Sequence, residues 1–156
     1  MSTVAERPPI DDTRAAEYRE KGFIVIEDVY SPAEIGRMRQ AIGELVGAAA
    51  GIDSHDDVYD LEPTHTRERP RVRRIKKPYQ VHPVFMEMAK HPRLIAILAQ
   101  LIGPDLRLHG GKINLKSAGY GAPVEWHQDW AFYPHTNDDV LAVGVMLDDM
   151  TEDNGP

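Results

Sequence analysis

Lys112-Ile113-Asn114-Leu115-Lys116 is the stretch at which the chain changes period. Upstream of it apolar residues recur at helical spacing. Within it they alternate, with Ile113 and Leu115 on one face and Lys112, Asn114 and Lys116 on the other. A strand of that kind can line a polar cavity. A Gly-rich turn at residues 118–122 then leads to a second strand, Val124 to Asp129, and Val140 to Leu147 reads as a nearly continuous apolar third.

Working back from this switch, the chain reads as helices with one early strand. Thr13 to Lys21 suits a short helix stopped by Gly22, and Phe23 to Ile26 a buried strand. Ser31-Pro32-Ala33-Glu34 is a helix start: Ser31 can cap, Pro32 fits the first helical position and Glu34 completes a capping box. That helix is expected to run to about Ala49, with Ile35, Met38, Ile42, Leu45 and Val46 on its apolar face. Residues 50–70, rich in aspartate and proline, read as a long surface loop able to act as a lid, followed by the basic run Arg71 to Lys77. Pro83 to Ala89 and Pro92 to Ile102 are two further helices, the second ended by Gly103-Pro104. Helices first and strands after predict an α+β fold whose second half begins an antiparallel jelly roll. Residues 1–12 are expected to be a flexible tail, and 13–156 the N-terminal and central part of one domain.

Composition narrows the function. At 156 residues and 42% hydrophobic content the chain suits one globular domain, and its net charge of -7 argues against general nucleic-acid or membrane-surface binding. The absence of cysteine removes disulfides, thiolate metal sites and cysteine nucleophiles together. With no apolar run of signal or membrane-spanning length, a cytoplasmic location is expected, with a small-molecule partner rather than nucleic acid or membrane.

The chemistry centres on His127-Gln128-Asp129-Trp130. In an extended segment His127 and Asp129 project to the same side, so one short stretch offers a nitrogen and an oxygen to one cation. A 2-His-1-carboxylate triad binds Fe(II) on one face and leaves the opposite positions open, so a second histidine is needed. The run of Trp126, Trp130, Phe132 and Tyr133 has the composition of a cavity wall, and Trp130, Phe132 and Tyr133 are candidate substrate contacts. His82 and His91, each before a proline at a helix start, read as capping or solvent-facing; His135 reads as a loop residue. His109, just before the polar strand, is the unassigned histidine most suited to face the cavity.

The segments Glu125 to Trp130, Tyr133-Pro134, Asp139 and Asp153-Asn154-Gly155-Pro156 resemble the phytanoyl-CoA dioxygenase (PhyH) family. Lys112 to Lys116 and the opening Gly22 to Val29, followed by the capped helix, fit that resemblance. It implies an Fe(II)- and 2-oxoglutarate-dependent dioxygenase on a double-stranded β-helix, a jelly-roll relative of the cupins. Such an enzyme uses O2 to hydroxylate a C–H bond of a small organic substrate and releases succinate and CO2. His127 and Asp129 would then be iron ligands and catalytic, and Lys112, Asn114 and Lys116 contacts to 2-oxoglutarate or substrate. A basic side chain from the preceding run, Arg74 or Lys76, would also approach the co-substrate. The intact Asp129 favours hydroxylation over halogenation. The distal histidine and the arginine that anchors 2-oxoglutarate follow the Asn-Gly-Pro turn in that family, so the last strands are expected to lie beyond this chain.

Two other readings stay open. A zinc-bearing, cupin-like isomerase or hydrolase would also use imidazole and carboxylate ligands. An incomplete or inactive jelly-roll binding module would bind no iron tightly, and its exposed sheet edge after Leu147 would pair with another chain or with the missing C-terminal part.

Overall fold

The structure is a computed structural model that describes residues 9–117, 123–133, 135–137 and 139–154. The expected Gly-rich turn at 118–122, Pro134, Gly155-Pro156 and residues 1–8 of the expected tail lie outside the described residues.

Helix α1 spans Asp12–Lys21; Asp11 accepts a hydrogen bond from the Arg14 N–H (2.8 Å), and Gly22 closes the helix at φ 79. That positive φ is where glycine carries least strain. Ile10, inside the stretch expected as tail, is buried, and Gln100 exchanges hydrogen bonds with its backbone N–H (3.3 Å) and carbonyl (2.9 Å). Residues 23–27 do not form the expected buried strand. Ile24 and Ile26 pack on Ile10, Ala15 and Ile97, while Phe23 and Val25 are exposed. Arg14 donates to the Val25 carbonyl and Arg93 to the Glu27 and Asp28 carbonyls, so side chains supply the partners a ladder would otherwise provide.

Helix α2 spans Pro32–Ala48 and begins with the complete capping box read from sequence. The Ser31 N–H donates to Glu34 Oε2 (2.8 Å), and the Glu34 N–H donates back to Ser31 Oγ (3.3 Å). These hydrogen bonds, the backbone one first, hold the Glu34 carboxyl below its ordinary range. Its inner face, Met38 and Ala41 with Ile35, Ile42 and Leu45, packs on Val84, Phe85 and Met88.

The expected lid is instead a stapled segment containing strand β1, Tyr59–Leu61. The Leu61 N–H donates to His55 Nδ1 (2.9 Å), the Arg71 N–H to His65 Nδ1 (3.0 Å), and His65 Nε2 meets the Ile52 carbonyl (3.0 Å). With Nδ1 accepting, His65 carries its proton on Nε2, so both nitrogens are committed to structure. Glu62, 2% exposed, heads a turn closed by the His65 N–H, and its carboxylate oxygens have no partner among the described residues. An uncompensated buried acid is a cost to this corner of the fold.

Strand β2, Val72–Lys76, pairs antiparallel with β1 and with β3, Lys112–Asn114, in the order β1-β2-β3. A bulge lets both Val72 and Ile75 enter the core although they are three apart: Leu61 pairs with Val72 and Asp60 with Arg74, leaving Arg73 unmatched. Ile75 is 0% exposed, worth about 1.5–3 kcal/mol of transfer free energy. This inner face packs with Ala49, Leu45 and Val46 of the α2 end. Helices α3 (Pro78–Val81), α4 (Pro83–Ala89) and α5 (Pro92–Ile102) lie between β2 and β3, so the expected order, helices with one early strand and then the remaining strands, is corrected. The architecture is α+β, a small antiparallel sheet covered on one face by helix.

Past β3 the expected strands do not pair. Val124 to Gln128 and Val140 to Leu147 have no ladder partner among the described residues, and Val124, Val140, Val143, Val145 and Met146 are exposed. An apolar strand is stable only against a partner, and these residues have few neighbours here. Leu147 does reach the α2 cluster, and Arg39 bonds its carbonyl and the Asp148 carboxylate (3.0 Å).

Candidate functional site

Gln128 is extended (φ -105, ψ 121), and Asp129–Ala131 turn immediately into a single 3₁₀ turn. No strand forms through Asp129; extended backbone reaches Gln128 only, yet the geometric consequence of that extension holds. His127 Nε2 and Asp129 Oδ1 stand 3.2 Å apart, with side chains 36% and 50% exposed.

The other ring nitrogen settles the proton's place. His127 Nδ1 lies 2.7 Å from the Glu125 carbonyl oxygen, which can only accept, so Nδ1 carries the hydrogen. Nε2 is thus the nitrogen with a lone pair to offer, and it faces a carboxylate. Two electron-rich atoms at that distance are favourable when a proton or metal cation lies between them. A backbone carbonyl fixing the tautomer is also how metal-binding histidines are oriented. Phe132 stands edge-on to the imidazole at 5.8 Å between centroids. Imidazole and carboxylate without thiolate suit Fe(II), Mn(II) or Zn(II). Among the described residues no group of three or more metal-binding side chains converges, so the pair by itself offers two donor atoms.

The remaining aromatic residues surround the turn without entering a core. Trp130, Phe132 and Tyr133 are exposed, as is Trp126. Tyr133 stands edge-on to His109 (5.7 Å), His109 to His135 (5.0 Å), and Trp130 is tilted against His135 (6.3 Å). His135, expected as a plain loop residue, joins this cluster with the Tyr133 carbonyl at its Nδ1. His82 caps α4 by accepting from the Val84 N–H (3.3 Å), as expected. His91 makes no such cap and faces Glu34 (3.3 Å) and the Tyr30 ring (5.1 Å).

The sheet's open face carries the polar residues read from sequence. Lys112, Asn114 and Lys116 are exposed there, while Ile113 and Leu115 point into the core. Cross-strand contacts complete the face, with Arg74 Nε donating to Asn114 Oδ1 (3.2 Å) and Lys76 Nζ pairing with Asp60 (3.1 Å). The basic run named Arg74 and Lys76, but Asp60 as their common partner required the pairing of β1 with β2. A hydrogen bond from Arg73 to the Pro123 carbonyl (3.3 Å) ties the sheet to the approach of the His127 turn.

Residues 18–156 match the family described as phytanoyl-CoA dioxygenase (PhyH). The chain belongs to the phytanoyl-CoA dioxygenase family. It is 36% identical over 139 residues to a probable alpha-ketoglutarate-dependent hypophosphite dioxygenase of Stutzerimonas stutzeri, covering 89% of this chain and 48% of that protein. It is 28% identical over 156 residues to the ectoine dioxygenase of Sphingopyxis alaskensis, covering 95% of this chain and 48% of the relative. A shorter match, 35% identical over 77 residues, is to the L-proline trans-4-hydroxylase of Streptomyces griseoviridis, covering 47% of this chain and 29% of that one. The chain spans about half the length of the first two of these curated relatives.

Proposed function

We propose that the whole protein is an Fe(II)- and 2-oxoglutarate-dependent dioxygenase that hydroxylates a C–H bond of a small polar substrate on a jelly-roll scaffold. The observation that carries this reading is the His127–Asp129 pair, with Nε2 and Oδ1 at 3.2 Å and the tautomer held by Glu125. Family membership and relatives named as dioxygenases and a hydroxylase support it.

In this reading His127 and Asp129 hold the iron, and a third ligand comes from outside the described residues. Iron, 2-oxoglutarate and O2 together supply the oxidising chemistry, with succinate and CO2 released. The protein's part is placement. The Glu125 carbonyl keeps the His127 ring in one orientation, and Asp129 adds the charge that an imidazole alone lacks. Trp130, Phe132 and Tyr133 wall the substrate side, and Lys112, Asn114 and Lys116 line the floor toward co-substrate or substrate. The named relatives act on hypophosphite, ectoine and L-proline, all small and polar, which favours a small polar substrate over an acyl-CoA.

Succinate release with Fe(II), 2-oxoglutarate and a metabolite panel tests the reading. Asp129→Ala is expected to lower turnover at least about a hundredfold, the upper range for disturbing the support of a metal site. Unchanged turnover in the variant would remove Asp129 from the iron. Turnover supported by Zn(II) and independent of O2 would favour the isomerase or hydrolase alternative.

A further inference from the structure

The seven histidines of the chain differ in what their ring nitrogens are left to do. A neutral imidazole has one N–H and one lone pair, and the lone pair is what binds a metal. At His55, His65 and His82 the Nδ1 lone pair is taken by a backbone N–H, from Leu61, Arg71 and Val84 in turn, which leaves the hydrogen on Nε2. His91 turns Nε2 to Glu34 and buries Nδ1. His127 faces Asp129. Two histidines remain, and they are neighbours: the ring centroids of His109 and His135 stand 5.0 Å apart.

Both have a lone pair to offer. His135 Nδ1 lies against the Tyr133 carbonyl, which can only accept, so Nδ1 carries the hydrogen and Nε2 the lone pair. The same arrangement holds His127, where the carbonyl two residues back fixes the tautomer, and metal-binding imidazoles are oriented in this way. His109 makes no hydrogen bond among the described residues. Its neighbours are the rings of His135 and Tyr133 (5.7 Å), which leave its nitrogens uncommitted.

The separation suits a shared cation. Two imidazoles on one tetrahedral Zn(II), with Zn–N distances of about 2.0–2.1 Å, place their ring centres about 5 Å apart. Edge-to-face packing gives a similar spacing, so the uncommitted nitrogens, not the distance alone, mark the pair as a donor set. Tyr133 and Trp130 (6.3 Å from His135) supply apolar flanks.

We infer that His109 and His135 form a transition-metal site separate from the His127–Asp129 pair. It takes a divalent cation that favours imidazole, Zn(II), Ni(II) or Cu(II), on one nitrogen of each ring, with water in the remaining positions. No group of three metal-binding side chains converges among the described residues, so the two pairs do not merge. A cation held there joins the stretch before β3 to the stretch after the His127 turn and steadies the Tyr133 and Trp130 rings packed on it. The site stands whether or not the other pair binds iron.

The test uses the chain carrying His127→Ala and Asp129→Ala, which removes the other pair, titrated with Zn(II) and with Ni(II) and followed by calorimetry and by imidazole nitrogen NMR. Saturable binding of a single Zn(II) per chain is expected, with the His109 and His135 nitrogens shifting and those of His55, His65, His82 and His91 unmoved. The same two rings are expected to shift in wild type. Adding His109→Gln or His135→Gln, at an exposed and a half-buried position, is expected to weaken binding at least about tenfold in each case, since a chelate needs both rings. His82→Gln, checked for native circular dichroism, is expected to bind as the parent. Absence of saturable binding, an effect of only one of the two substitutions, equal weakening by His82→Gln, or shifts confined to other histidines would each overturn the inference. Because the parent lacks His127 and Asp129, the result is independent of the Asp129 turnover test.

Discussion

Residues 9–117 and residues 123–154 have similar shares of apolar side chains but opposite environments. In the first region Val72, Ile75, Met38 and Phe85 are buried between helix and sheet. In the second, Val124, Trp126, Phe132, Val143 and Met146 are exposed, although that region carries His127 and Asp129. The first region packs around a core, whereas the second has local geometry and, apart from Leu147 against the α2 cluster, little packing among the described residues. What differs is the range of the interactions. Helices α1 and α2 are set by caps within four residues, while a strand such as Val140 to Leu147 acquires stability only from partners distant in sequence.

Activity is the sharpest way to break this contrast. Asp129→Ala should abolish 2-oxoglutarate turnover while leaving the helical circular dichroism of the first region unchanged. A variant that lost both would show that the two regions fold as one unit. Next in size is Ile75→Ala, expected to cost about 2–5 kcal/mol by chemical denaturation, because the side chain is wholly buried and its removal leaves a cavity. Trp126→Ala, at a fully exposed position, should change stability by less than about 0.5 kcal/mol in the same chain. Equal costs at the two sites would contradict the contrast.

Ser31→Ala should cost about 1 kcal/mol by removing half of the capping box at the start of α2. The smallest effect is that of pH. Glu34, held low by Ser31, and Glu87 and Asp53, held low chiefly by hydrogen bonds from Arg37 and Arg67, have carboxyl groups depressed in the folded state. A depressed folded value means stability that is complete above the unfolded range of about 4 and is lost as pH falls through the folded value. The expected result is a modest loss of stability below about pH 4, smaller at high salt because Glu87 and Asp53 are exposed. Denaturant midpoints measured across pH 2–6 at two salt concentrations check the direction.

Much of the first region was legible in the sequence because its signals are local. Asp11 and Gly22 bracket α1, and Ser31, Pro32 and Glu34 start α2 within one residue of where the pattern put it. Prolines open α4 and α5 as expected. The stretch 50–70 reads as a surface loop, and its aspartates and prolines conceal β1 and two histidines that accept backbone hydrogen bonds. The apolar run at 23–26 predicts a strand but does not reveal that Arg14 takes the Val25 carbonyl and Arg93 the Glu27 and Asp28 carbonyls just beyond it.

For the candidate site the division follows the same line. Period alone placed Lys112, Asn114 and Lys116 opposite Ile113 and Leu115, and the i, i+2 spacing alone put His127 beside Asp129, since both depend on the pleat of one short segment. Only the tertiary structure decided that Lys76 opposes Lys112, that Asp60 serves two cations and that a bulge at Arg73 admits both Val72 and Ile75 to the core. Register is a relation between strands, and in a chain where 35 residues separate Lys76 from Lys112 along the numbering, no single-segment pattern specifies it.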